Sequence, residues 1–522
     1  MSDQALAVKT IKNSILNIAS FLIGLLVNLF LVRYVVAKIG IDAYGISALL
    51  LVVIAPLTLA NLGFGEATTK YVAGAMQSGD RVTASAYVRT TFFMNLSVGM
   101  AGAILIFFGG GPLFMWAFSD QMNPIHTELI DQCMKIIAFG WIINQCSATF
   151  MSIPVAVQKF SIVAVGNLVF VLITAILAVM VLQQGYGLLG YVFATVGGQF
   201  SALLFWFYQS KKILFDVSLT PRIDKQAWKN SFHFGGWQVI SQLGGLVAQQ
   251  SEKYLLGVFL PTSAVGVYNV VLNNIQQKIY AIVHKLAEVL FPMFSALDHE
   301  DNAGRKANIL IKSTWITTTL SVCLLTSVIP LAHPIISLIM KNVSLADQGE
   351  HVLRILCIAG SFGSATTAGY FFLLGIGKTV KITYISIITG LVTVVVAFIT
   401  IPRFGLLAAG FGPLAGAIVQ SFTISRVMYT ALKNVVQLTS ILSTIFIPIL
   451  TGVGVGMLVW YLLPLYTYNW FSLLAAYAAV NALTALSIFL ISRLLPHGKE
   501  HEELLKKLYF HTLNKLKQRY SN

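Results

Sequence analysis

Charged side chains are scarce in this chain. Asp, Glu, Lys and Arg make up 10% of its 522 residues, whereas apolar residues make up 57%. Soluble proteins average about 25% charged and about 45–50% apolar residues. This composition excludes a water-soluble fold and predicts an all-α polytopic membrane protein. Because each crossing takes ~20–25 residues, the spans use nearly the whole chain, and we expect the function to lie within them.

Motifs for nucleotides, metals and disulfides are also lacking. No GxxxxGK[ST] or GxGxxG pattern follows a strand-like segment, which argues against an ATP-driven motor in this chain. The four cysteines, Cys133, Cys146, Cys323 and Cys357, lie in apolar stretches without CxxC spacing or a neighbouring histidine. We therefore expect no disulfide, no metal site and no cofactor.

Long apolar stretches bounded by charge, glycine or proline predict about fourteen transmembrane helices. The polar N-terminus contains Lys9 and Lys12 and leads into an apolar run without a cleavage signal, so we expect this run to remain as the first span. The spans are expected at roughly 14–36, 44–68, 84–108, 129–155, 160–182, 187–208, 232–259, 265–293, 308–330, 351–376, 382–401, 406–430, 440–463 and 470–492.

The distribution of Lys and Arg predicts the orientation of these spans. If the N-terminus is cytoplasmic, 25 of the 34 Lys and Arg residues lie on the inner side, four lie on the outer side and five lie within spans. Inner loops of membrane proteins carry such an excess of positive charge. We therefore expect both termini in the cytoplasm. The net charge of +15 is attributed to this bias rather than to nucleic-acid binding.

Three short patterns recur at nearly one displacement along the chain. They are Ala43-Tyr44-Gly45-Ile46 with Ala264-Val265-Gly266-Val267, Asp131-x3-Lys135 with Glu350-x3-Arg354, and Gly187-Leu188-Leu189 with Gly405-Leu406-Leu407, displaced by 221, 219 and 218. Their common order and spacing favour a duplication over a chance recurrence of glycine and apolar residues. Each half has six spans, so both halves enter the membrane in the same orientation, and a cleft between them is expected.

The duplication and the longest inner link predict the domain organisation. We expect an N-terminal six-helix lobe at 1–210, a cytoplasmic basic linker at 211–230, a C-terminal six-helix lobe at 231–432, an extra helix pair at 433–495 and a tail at 496–522. The tail is predicted to be a basic amphipathic helix on the anionic inner leaflet. A solvated tail or a docking site for a partner remains the alternative.

Span eight has polar and charged residues within the membrane, where they cost free energy. It contains Asn273, Asn274, Gln276, Gln277, Lys278, His284, Lys285 and Glu288. An ionised side chain at the middle of a helix costs roughly 2.5–3.5 kcal/mol on insertion scales, so such residues face water or a partner. Lys278 is about midway across and has no acid three or four residues away. This surplus of positive charge, with amides between the cations, favours binding of an anion that has many hydroxyls.

Other spans also have polar faces. Span seven contains Gln238, Gln242, Gln249, Glu252 and Lys253, span one ends near Arg33, and span two contains Glu66 and Lys70. The alternative is that some charges pair only to fix helix packing, as Lys285 with Glu288 or Glu66 with Lys70 could do. The pairs Asp131 with Lys135 and Glu350 with Arg354, at outer helix starts, are predicted to be structural ion pairs. We interpret His333-Pro334 as a helix end.

Two segments resemble a known family. They are LVRYVVAKIGIDAYGISALLLVVIAPLTLANLGFGEATTKYVAG at 31–74 and EKYLLGVFLPTSAVGVYNVVLNNI at 252–275. The chain resembles the polysaccharide transporter branch of the multidrug/oligosaccharidyl-lipid/polysaccharide (MOP) exporter superfamily, the Wzx-type flippases. The resemblance covers most of the chain and is clearest in spans one, two, seven and eight.

The resemblance implies a MATE-like bundle of two pseudo-symmetric six-helix lobes that works by alternating access. It implies a flippase that moves an undecaprenyl-diphosphate-linked oligosaccharide across the bacterial inner membrane, and not an enzyme. The diphosphate would then meet Arg33, Lys253, Lys278 and Lys285, and amides would contact the sugar; the amide candidates are Gln242, Gln249, Asn274 and Gln277. Candidate ion-coupling residues are Glu66, Glu252 and Glu288. A polysaccharide polymerase and chain-length proteins are candidate partners, besides membrane lipids.

Three alternatives remain open at this point. A multidrug or cation exporter of the same superfamily would need acids in span one, where Arg33 is the charged residue. A polysaccharide polymerase or acyltransferase would need a large outer loop with catalytic residues, but the longest outer link, about 109–128, is short. A scaffold for a synthesis complex would leave the charges within spans unexplained.

Overall fold

The computed structural model is all-helical in the part of the chain that it describes, which confirms the predicted fold class. Its backbone covers residues 3–61, 64–121, 127–215, 218–288, 290–298, 303–432, 435–463 and 469–493. Within these ranges the side chains of 3–18, 60–61, 66, 232–244, 247–248, 292, 296–298 and 303 are outside the description. The predicted amphipathic tail at 496–522 lies outside the described residues.

The chain divides into two compact units, Met1–Val270 and Val271–Asn522. The predicted limits of the lobes stay a prediction. Unit 1 contains the helices α1 (Asp3–Ile54), α2 (Phe64–Gln77), α3 (Arg81–Phe118), α4 (Thr127–Ala156), α5 (Phe160–Gln183), α6 (Gly187–Ile213), α7 (Lys225–Phe259) and α8 (Thr262–Asn269). A buried hydrophobic cluster of this unit contains Phe150, Ile153 and Trp206.

Unit 2 contains the remaining helices. They are α9 (Gln277–Ala287), α10 (Leu290–Asp298), α11 (Ala303–Thr326), α12 (Ala332–Met340), α13 (Val343–Ala365), α14 (Thr367–Gly375), α15 (Thr379–Phe404), α16 (Phe411–Ala431), α17 (Leu438–Leu462) and α18 (Trp470–Ser492). Phe294, Phe372 and Met428 lie in its core. The last helix is anchored here, because the Tyr477 hydroxyl donates a hydrogen bond to the Leu324 carbonyl of α11 at 2.9 Å.

Ten helical stretches of the described residues are long and apolar enough to cross a membrane. This confirms a multi-pass membrane protein. One stretch, Thr379–Ala431, is 53 residues long and contains both predicted spans at 382–401 and 406–430. The α5 helix has 24 residues without one charged side chain. The total of fourteen spans stays a prediction.

Glycines with positive φ separate several of the helices. Gly40, with φ of 83°, lies at the kink inside α1, between the first two predicted spans. Gly187 and Gly405, the first residues of a repeated pattern, have φ values of 53° and 62°. Side chains with a Cβ rarely adopt this conformation. The two copies of the pattern therefore share a backbone feature as well as a sequence.

Two spans predicted as single helices are interrupted. The second predicted span contains the end of α1, a 3-10 turn at Ala55–Asn61 and the start of α2; Pro56, which has no amide hydrogen, lies in this turn. The eighth predicted span contains most of α8, a π-helical segment at Val270–Gln276, α9 and the first part of α10. Such π-helical turns are rare in proteins, and those that occur are frequently found at functional sites.

The interpretation of His333-Pro334 as a helix end is wrong. Both residues lie in the first turn of α12, a short helix that was not predicted. Proline is tolerated in a first helical turn because its missing amide hydrogen would have no intrahelical partner there. The His333 ring is 3.1 Å from the Asp347 carboxylate of α13, so this histidine joins two helices.

The basic linker is held against α3 by side chains of that helix. The Ser85 hydroxyl donates to the Ser218 carbonyl at 2.8 Å, and Nε of Arg89 donates to the Thr220 carbonyl at 3.0 Å. Backbone polar groups outside regular helices need such partners. Ser218 and Thr220 of the linker are thus bound to α3 within unit 1.

Candidate functional site

Arg33 lies in a cavity of unit 1. The cavity has a volume of about 620 Å³ and is lined by one face of α1 and by Ala175 and Val179 of α5. Arg33 and Tyr34 are its polar lining residues, and the others are apolar. Within the described part of the chain, no carboxylate forms an ion pair with Arg33. Sequence reasoning missed Tyr34, although its position beside Arg33 and four residues before Lys38 was a readable signal.

Glu252 and Lys253 lie next to each other on α7. Glu252 is only 3% exposed, whereas Lys253 is half-buried. They are about 100° apart around a helix, and the described residues provide no ion pair for either side chain. Gln249, one turn earlier, is exposed. The side chain of Gln242 lies outside the described residues.

The π-helical segment and the start of α9 place several polar side chains in succession. Asn274 and Gln276 are buried, and the amide of Gln276 lies so close to Gly360 of α13 that a methyl group there would overlap it. Gln277 is exposed and Lys278 is half-buried. No described carboxylate lies within ion-pairing distance of Lys278.

Lys285 differs from Lys278 in this respect. Its Nζ is 2.7 Å from Oε1 of Glu288, and Nδ1 of His284 is 3.8 Å from the same oxygen. The Lys285 and Glu288 side chains are 61% and 45% exposed. The structure therefore contains the ion pair between Lys285 and Glu288, which the sequence suggested only as an alternative. The other open pair contains Glu66, whose side chain lies outside the described residues.

The two ion pairs predicted at outer helix starts are both present. Lys135 Nζ is 2.6 Å from the Asp131 carboxylate, and a guanidinium nitrogen of Arg354 is 2.7 Å from that of Glu350. Arg354 also donates from Nε to the Ile329 carbonyl at 3.1 Å, and its guanidinium lies 4.4 Å from the ring centre of Trp460. These charges are used in packing, and we assign them no role in substrate binding.

Residues 38–343, more than half of the chain, match the family described as polysaccharide biosynthesis protein. This match confirms the resemblance to polysaccharide transporters. A curated relative, the uncharacterized membrane protein EpsK of Bacillus subtilis (strain 168), is 22% identical over 263 residues, which are 49% of this chain and 51% of EpsK. The chain thus matches about half the length of this relative.

Solved structures share the fold at low sequence identity. The lipid II flippase MurJ in its inward closed conformation is 16% identical, with a TM-score of 0.69, and the match covers 92% of this chain and 99% of MurJ. An inward-facing multidrug resistance MATE family transporter of the MOP superfamily is 16% identical, with a TM-score of 0.67 and coverage of 81% and 100%. The chain therefore belongs to the family of polysaccharide biosynthesis proteins and has the fold of MOP superfamily transporters.

Proposed function

We propose that this protein is a flippase that carries an undecaprenyl-diphosphate-linked oligosaccharide across the bacterial inner membrane by alternating access, for surface polysaccharide biosynthesis. Its family is that of polysaccharide biosynthesis proteins, and its fold is shared with MurJ, which is described as a lipid II flippase. Both termini are proposed to be cytoplasmic. No covalent bond is made or broken in this transport.

The observation that carries the proposal is the environment of the Lys278 side chain. This lysine is half-buried, two residues after the π-helical segment that ends at Gln276, and no described carboxylate neutralises it. A cation in a membrane span is costly unless it meets water or an anion. Phosphate oxygens would accept charge-assisted hydrogen bonds from its ammonium group. Lys253 is the second candidate for the diphosphate, and Gln249, Asn274 and Gln277 are candidates for contacts with sugar hydroxyls.

Deletion of the gene in its host tests the function. We expect undecaprenyl-linked oligosaccharide to accumulate on the cytoplasmic face of the membrane and the surface polysaccharide to be lost. A polymerase and chain-length proteins, the proposed partners, would then lack their substrate. Greater sensitivity to cationic drugs without accumulation of the lipid would instead indicate a multidrug exporter and would contradict the proposal.

Complementation with two lysine variants tests the site. Lys278→Gln is expected to fail to restore the polysaccharide, because it removes a cation that no described carboxylate neutralises. Lys285→Gln is the matched control, since it removes a cation from the same helix that Glu288 already neutralises. Western blots and size-exclusion profiles check that both variants are produced and folded. Full rescue by Lys278→Gln would refute the proposed anion site even if the deletion phenotype were as expected.

A further inference from the structure

The cavity between α1 and α5 has a polar end and an apolar wall. Val27, Phe30, Ala175 and Val179 provide much of its apolar lining, while Arg33 and Tyr34 provide its polar groups. The volume of about 620 Å³ falls within the range of small-molecule sites. A site of this kind matches an amphiphile, which has a polar head and hydrocarbon chains.

Among the described residues, the Tyr34 hydroxyl has no hydrogen-bond partner and Arg33 has no ion-pair partner. The Tyr34 hydroxyl is buried without a hydrogen-bond partner in the described part of the chain, which is unfavourable for a polar group removed from water. Arg33 has no carboxylate at ion-pairing distance among the described residues, although it lies in a candidate span, Ala19–Leu59. A ligand oxygen that accepts hydrogen bonds from both groups would remove both costs.

A third donor group lies at the same end of the helix. Lys38 is exposed, and its Nζ is 5.9 Å from the centre of the Tyr34 ring. Arg33, Tyr34 and Lys38 thus occupy little more than one turn of α1. Guanidinium groups bind phosphate oxygens through two parallel hydrogen bonds, with a phenolic hydroxyl as a further donor.

The charge of the lining indicates which phosphate fits. Lys38 is not among the lining residues, so the cavity itself offers one guanidinium and one neutral hydroxyl. These match the single negative charge of a phosphodiester, whereas a diphosphate has a larger charge and would need further cations in the lining. None of the described residues that line the cavity is acidic, so a headgroup ammonium would have no partner there. We propose that this cavity binds an anionic glycerophospholipid, with its phosphodiester on Arg33 and Tyr34 and an acyl chain along the apolar wall. Arg33 thereby serves a resident lipid and not the transported one.

Native mass spectrometry of the purified full-length protein tests this site directly. The protein is titrated in detergent with dioleoyl-phosphatidylglycerol, dioleoyl-phosphatidylcholine or undecaprenyl diphosphate. We expect phosphatidylglycerol to be retained more tightly than phosphatidylcholine. Arg33→Gln is expected to weaken the binding of phosphatidylglycerol about tenfold, because it removes a charge-assisted hydrogen bond. Tyr34→Phe is expected to weaken this binding about threefold. Arg403→Gln, which removes an exposed cation in the last turn of α15, is the matched control and should change nothing.

The outcomes separate the possible occupants. Equal retention of the two phospholipids by the unmodified protein, or an unchanged preference in Arg33→Gln, would overturn the proposal. If Arg33→Gln lost only the binding of undecaprenyl diphosphate, the cavity would be assigned to the transported lipid, and the proposal would also be overturned. If Arg33→Gln does not fold, Tyr34→Phe still tests the site, because it removes only a hydroxyl that has no hydrogen-bond partner among the described residues. This experiment measures lipid binding and not transport. Its result therefore does not depend on whether the protein is a flippase.

Discussion

Gly45 and Gly266, which occupy equivalent positions in the two copies of a repeated pattern, meet backbone to backbone within unit 1. A methyl group on Gly45 would overlap the carbonyl oxygen of Thr262, and one on Gly266 would overlap that of Ile41. Ile41 and Thr262 are themselves equivalent in the repeat, so the contact is reciprocal. The Thr262 hydroxyl also donates to the Asp42 carboxylate at 3.3 Å. The repeated glycines therefore allow the close approach of α1 and α8.

Gly45→Ala is expected to lower the thermal unfolding midpoint in detergent. Overpacking of a tight contact costs typically about 1–3 kcal/mol, and here the obstacle is backbone, which cannot rotate away. Gly24→Ala is the control on the same helix, because a methyl group at Gly24 meets nothing within 4 Å. That variant should be neutral or slightly stabilising, since alanine favours helices. Equal midpoints for the two variants would contradict the close contact.

Arg354→Gln is expected to destabilise the protein strongly. Removing one partner of a buried ion pair costs about 3–5 kcal/mol, and the Arg354 side chain is only 6% exposed. Lys135→Gln breaks the equivalent pair of the first repeat, where the lysine is 42% exposed, and should cost about 0–1 kcal/mol. Denaturant titration in detergent measures both free energies of unfolding. A loss for Lys135→Gln as large as that for Arg354→Gln would show that burial does not decide the difference.

The helical fold could be predicted because a bilayer demands long apolar runs, and these runs are visible in the order of the residues. The interruptions could not be predicted. A hydrophobic pattern marks where a span begins and ends, but it does not distinguish an α-helical from a π-helical register at Val270–Gln276. The short helix α12 was missed for a related reason, because the proline in its first turn is typical of both a helix start and a helix end.

The candidate site was predictable to the extent that it depends on neighbours in sequence. The pairing of Lys285 with Glu288, three residues away, was visible as a spacing. The wall that Ala175 and Val179 form beside Arg33 was not, because contacts between helices far apart in sequence leave no local pattern. The same holds for Trp460 against Arg354.

Asp80 is expected to make stability depend on pH. Hydrogen bonds from the hydroxyl and the amide of Thr83, at 2.6 and 2.9 Å, lower the pKa of the Asp80 carboxyl below its ordinary value of 3.8. A lowered pKa in the folded state means that the stabilisation is complete above the ordinary value and is lost as the pH falls through the lower, folded value. The difference in thermal midpoint between the unmodified protein and Asp80→Ala should therefore be largest near neutral pH and shrink in acid.

The control for this pH dependence is another helix cap. The neutral Asn342 side chain caps α13 by accepting a hydrogen bond from the Leu345 amide at 3.1 Å. Asn342→Ala should lower the midpoint by an amount that does not change over the same pH range, because an amide does not titrate. If the effect of Asp80→Ala were equally constant, the carboxylate would not be the group responsible.

Glu252 and Glu288 are expected to differ in ion coupling, on the basis of the proposed flippase function. Glu288 is bound to Lys285, whereas Glu252 is buried at 3% exposure without an ion pair in the described part of the chain, and a buried carboxylate needs a proton or a cation. In vesicles, Glu252→Gln should abolish the response of lipid-linked oligosaccharide transport to an imposed pH gradient. Glu288→Gln should retain it, and Glu66→Gln completes the set of candidate acids. A normal response in Glu252→Gln would exclude this carboxyl as the coupling site.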